Sequence, residues 1–182
     1  MDNKTFDEFV NRQQAKTTET FPVNWETQRD EWLMHLDSLY SKIESLLAKY
    51  VSSGQIQFGY QNIELNEEYI GSYIAKRMTL RIGRQEVTFV PVGTLLIGSK
   101  GRVDVIGPAG RAEMLLVDST ASGPRSLIHV TVEIGGKLPV PPSEPEREIE
   151  WEWRIVTRPP ERRFIEITQQ SLFQLIMEVA NG

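Results

Sequence analysis

From residue 55 to 135 apolar side chains recur at nearly every second position, and only a few residues separate one run from the next. That period belongs to strands, whose side chains alternate between two faces. The links "IGRQE", "GSKGR", "GPAGR" and "STASGPRS" are rich in glycine and small polar turn residues. Links so short join antiparallel neighbours, because parallel pairs need a crossover of roughly a dozen residues. The runs predict strands at 55–60, 62–66, 72–82, 85–92, 94–99, 102–107, 111–118 and 126–134. The chain is a meander.

Helical signals flank it. Asn24 is a good N-cap, and Glu26, Asp30 and Glu31 put negative charge where a helix dipole favours it. Trp32, Leu36, Leu39, Ile43, Leu46 and Tyr50 then recur in steps of four and three, with Leu33, Tyr40 and Leu47 widening the stripe, and Gly54 suits the C′ position. The stepping resembles a coiled-coil seam but lasts under about three heptads. A stripe this wide suits a helix lying on a sheet better than one pairing with another helix. A second helix is predicted at 168–180, capped by Thr168, with Leu172, Phe173, Leu175, Ile176 and Val179 on its inner side.

Between the meander and that helix, "KLPVPPSEPERE" crowds prolines that cannot enter a sheet interior, so residues 138–146 read as a Pro-rich surface loop. "REIEWEWRIV" alternates again, with Trp151 and Trp153 on one side and Glu148, Glu150, Glu152 and Arg154 on the other, and residues 164–167 make a last short strand. The expectation is α+β: one strongly bent antiparallel sheet of eight to ten strands, with a long N-terminal helix and a C-terminal helix packed on it. A sheet that long must curl, and a partly open barrel is its natural shape. Residues 24–182 read as a single domain, and residues 1–23 as a polar lead-in.

Composition removes several chemistries. The chain has no cysteine, hence no disulfide, thiolate metal site or thiol nucleophile. The longest apolar stretch, 89–98, is too short to span a bilayer and holds Pro91 and Gly93. Residues 1–16 lack a signal-peptide core, so a cytoplasmic protein is expected. Net charge is −5 but uneven: residues 1–70 carry 6 basic and 12 acidic side chains, residues 71–111 carry 7 and 2, and residues 112–182 carry 7 and 11. A basic middle between acidic flanks pairs within one fold more readily than it marks a nucleic-acid binder.

"RVDVIGPAGRAEML" poses the sharpest functional question. If Gly107 faces Gly110 across the Pro108-Ala109 turn, Asp104 faces Glu113, with Val103, Val105, Ala112 and Met114 beneath. Two facing acids are one way of holding a divalent metal in a nuclease, but Leu115 stands where the water-activating lysine of such a site would be. Arg102 and Arg111, diagonal to Glu113 and Asp104, supply the positive charge without an ion. An ionic outer face is therefore expected in preference to a metal site.

Other constellations are weaker. "GTLLIGSK" lacks the Gly-Lys-Ser/Thr ending of a phosphate loop. His35 and His129 have no ligand-spaced partner. Arg77, Arg81, Arg84, Lys100 and Arg102, with Tyr73 beside them, could form a basic face for single-stranded nucleic acid, although an acidic chain argues against it. Trp151 and Trp153 could line an apolar ligand site, but core packing is the simpler reading. No complete catalytic set and no cofactor motif emerges. The chain reads as a non-enzymatic interaction module, docking a protein partner or a second copy through its long helix or a charged sheet face, with no membrane role.

Overall fold

The structure, a computed structural model, describes residues 24–94, 99–123 and 149–181. Three predicted features lie outside the described residues: the strand at 126–134, the Pro-rich loop at 138–146 and the lead-in at 1–23. Residues 95–98 of the predicted strand 94–99 lie outside them too.

Helix α1 runs Trp25–Ser52 and is followed by β1 (Ile56–Glu67), β2 (Gly71–Ile82), β3 (Gln85–Gly93), β4 (Gly101–Gly107) and β5 (Gly110–Asp118). After the second gap come β6 (Trp151–Val156), β7 (Phe164–Glu166) and helix α2 (Gln169–Asn181). The strands form one antiparallel sheet in the order β1-β2-β3-β4-β5-β6-β7, so the fold is α+β and built as a meander. The sheet is open, with β1 at one edge and β7 at the other, and numbers seven strands among the described residues.

One count differs for a physical reason. The predicted strands 55–60 and 62–66 are a single 12-residue strand, in unbroken register with β2. The buried side switches parity midway instead: Tyr73 and Ala75 are buried at one end of β2, Met78 and Leu80 at the other. β3 pairs only with Met78–Ile82, which leaves the rest of the β1–β2 hairpin as a two-stranded ribbon. Such ribbons twist more than full sheets do, and the twist turns the opposite face inward.

Both helices cap as their sequences require. The Thr27 amide donates to Asn24 Oδ1 at 3.1 Å, and Gly54 ends α1 with φ +74. The Ser171 amide donates to Thr168 Oγ1 at 3.2 Å. The α1 stripe of Trp32, Leu36, Leu39, Ile43 and Leu47 is buried in the protein's own core, so it is a sheet-packing face. Strand β4 runs hard against both helices. A Cβ on Gly101 would lie 2.1 Å from the Trp32 ring, and one on Gly107 would lie 2.3 Å from the Val179 carbonyl. That same carbonyl accepts from the Ala109 amide at 2.9 Å, which ties the β4–β5 turn to the end of α2.

Candidate functional site

The β4–β5 register matches the sequence arithmetic: Gly107 faces Gly110, Asp104 faces Glu113 and Arg102 faces Leu115. Arg102 Nε lies 2.8 Å from Asp104, and its terminal nitrogen lies 3.2 Å from Glu113, so one guanidinium bridges both acids. Arg111 pairs with Asp104, and Arg162, from the loop before β7, pairs with Glu113. The acids are less exposed than an outer face suggests, with Asp104 only 5% accessible. A buried carboxylate requires partners, and three arginines supply them. Among the described residues no three His, Asp or Glu side chains gather as a metal site.

Arg77, Arg81 and Arg102 share the outer face of the sheet, opposite the buried Met78, Leu80, Val103 and Val105, but each already has a partner there. Arg102 is spent on the hairpin acids. Arg77 bonds Gln61 across the β1–β2 ladder, and Arg81 reaches Glu86 at 3.2 Å. Lys100 bonds Glu31 of α1 at 2.8 Å and stands 5.0 Å from the centre of the Trp151 ring. Arg84 is exposed at the β2–β3 turn. Tyr73 is buried, with its hydroxyl on Glu67, and so offers no open stacking surface.

Trp153 belongs to the core. It packs 5.8 Å from Trp32, and its indole N–H donates to the His35 carbonyl at 2.9 Å. Trp151 is half-buried under Lys100. His35 is half-buried as well; burial first, then the Lys100 charge, hold its imidazole below the usual histidine value. His129 lies outside the described residues.

Two arrangements went unseen in the sequence. The first is a buried polar knot. The Thr94 amide and hydroxyl both donate to Glu67 at 2.9 Å, the Tyr73 hydroxyl joins them, and Gln28 of α1 donates to Thr94 Oγ1 at 3.1 Å. Gly93, at φ +140, leaves the space this carboxylate fills. Burial, then the Glu67 bond, push the Tyr73 hydroxyl well above the usual tyrosine range. The knot ties the β1 end of the ribbon to the residue following β3.

The second is a hollow of about 400 Å³ where α1 crosses the ribbon, lined by Asp37, Tyr40, Ser41, Glu44, Tyr60 and Lys76. The two tyrosine rings stand 6.0 Å apart at 51°, as an open V. Tyr60 bonds Glu44, and Lys76 is a loose 3.6 Å from Asp37. Burial is the main reason that both hydroxyls titrate well above the usual range. The i, i+4, i+7 spacing of Asp37, Ser41 and Glu44 was the one available signal, and it names a helix face without naming what faces it.

The hollow borders the edge of the sheet. β1 spans 12 residues and, among the described residues, pairs on one side only. It contains no proline, lysine or arginine, and its register has no bulge. Edge strands are ordinarily shielded by such devices.

Among the described residues, these features define an α+β protein with an open seven-stranded antiparallel sheet and a long edge strand that pairs on one side. Compared with protein-family models, curated proteins and solved structures, the chain matches none. Among the described residues, no helix is long and apolar enough to cross a membrane.

Proposed function

We propose that the chain is a non-enzymatic cytoplasmic interaction module that takes an extended segment of a protein partner along the edge of β1 that is unpaired among the described residues. The carrying observation is the edge itself: long, regular, and without the prolines, lysines or bulges that keep strands from pairing with strangers. The closed ionic cluster at Asp104 and Glu113 supports a binding reading over a catalytic one, since both acids already have guanidinium partners. The α1 stripe offers no alternative dock, because its own sheet covers it.

Site-specific photo-crosslinking in the native host tests this, with a photoreactive amino acid at Gln57, at Asn66, or at Met34 on the exposed side of α1. The expected result is one partner trapped from both β1 positions, through sites displaced along a single segment of that partner. Adducts from Met34 alone, or trapped peptides that come from β1 of a second copy, would overturn the proposal.

A further inference from the structure

The Tyr40–Tyr60 hollow has a chemistry of its own. The Tyr60 ring, 47% exposed and backed by the buried Tyr40, forms its aromatic wall, and its rim carries the carboxylates of Asp37 and Glu44. Electron-rich ring faces with acids beside them attract a cation. The only basic group in the lining among the described residues, Lys76, is 55% exposed and stands 3.6 Å from Asp37, so one loosely held ammonium faces two carboxylates. Glu44 is engaged by the Tyr60 hydroxyl through one oxygen, which leaves the other to accept from an incoming donor.

Tyr60 belongs to β1 itself, so a strand added to the edge would carry side chains past the mouth of this hollow. On the same strand Glu64 adds a third acid, while the nearest cations on β2, Lys76 and Arg77, stand against Asp37 and Gln61. A second copy of the chain is a poor occupant by the same accounting. Tyr60 lies close to the middle of β1, so an antiparallel β1–β1 pair would set the two hollows within roughly 13 Å along the strands. Four carboxylates against two lysines would converge there, on chains that each carry −5.

We infer that the hollow is a recognition pocket for a lysine or arginine side chain on the extended partner segment. The inference rests on the β1-edge reading and adds the chemistry by which that segment is chosen: backbone pairing along β1 supplies the hold, and the cation in the hollow sets the register.

The test uses the full chain and synthetic peptides of about ten residues that alternate valine and threonine, with lysine, arginine, norleucine or glutamate at the centre. Affinity is read by fluorescence anisotropy and the docking position by amide shifts of residues 56–66. Lysine and arginine peptides are expected to bind about ten-fold more tightly than the norleucine peptide, and the glutamate peptide more weakly still. In the Asp37→Asn/Glu44→Gln variant that preference should vanish while norleucine binding stays as it was. Tyr60→Phe, which keeps the ring, should retain most of the preference, and thermal melts verify that the variants fold. Equal binding of lysine and norleucine peptides, with β1 amides shifting for both, would overturn the pocket and leave the edge reading standing. If no peptide moves the β1 amides, the edge reading falls and takes the pocket with it.

Discussion

The Tyr40 hydroxyl donates to the Lys76 carbonyl at 2.7 Å, two residues before β2 begins to pair with β3 at Met78. A side chain from α1 thus takes the place of a missing strand at the point where the ribbon leaves the sheet. A backbone acceptor without a partner there is unfavourable. Tyr40→Phe should therefore lower stability by about 1 kcal/mol, measured by urea unfolding. An unchanged midpoint would mean that water serves Lys76 equally well.

Arg102 joins two acids that face each other across a hairpin. Arg102→Met should destabilise by about 2 kcal/mol, between the values typical of exposed and buried pairs, since its side chain is 24% accessible. Manganese titration watched by calorimetry should give no heat attributable to Asp104, before or after Asp104→Asn. Heat that disappears in the Asp104→Asn variant would restore the metal reading.

Gly101 and Gly107 are held to glycine by contact. Gly101→Ala would drive a methyl into the Trp32 ring, and Gly107→Ala into the Val179 carbonyl. Each should cost about 3 kcal/mol. Gly59→Ala, with nothing within 4 Å of its Cβ position, should be nearly neutral. Comparing the three melting curves separates steric contact from a general intolerance of alanine.

His35 predicts a dependence on acid. Burial holds its folded pKa below the ordinary histidine value of 6.5, so the unfolded chain takes up the proton more readily. The contribution of neutral His35 is complete above about pH 6.5 and is lost as pH falls through the lower folded value. His35→Gln should flatten that part of the stability–pH curve between about pH 7 and pH 5. A curve of unchanged slope would show that other groups carry it.

Much of this architecture was legible before any coordinates. The β4–β5 register followed from a Gly-Pro-Ala-Gly turn and the rule that facing residues keep a constant sum. The arginine partners followed from diagonal neighbours on one sheet face. Asn24, Gly54 and Thr168 marked helix ends through local hydrogen bonding and backbone freedom alone. These are short-range matters, and sequence order carries them.

The Tyr40–Tyr60 hollow and the Glu67 knot were not legible. Tyr40 and Tyr60 are 20 positions apart, and Glu67 and Thr94 are 27 apart. The parity switch in the ribbon, which brings those residues together, looked in the sequence like a break between two strands.

The chain by itself thus marked its helix caps, the β4–β5 pairing and most of the described strands, because each depends on neighbours a few residues away. Tertiary structure decided which face of a twisted ribbon turned inward and which strand stands at the edge of the described sheet. Twist accumulates over a whole strand and is released only where β3 stops pairing, a point no local pattern marks.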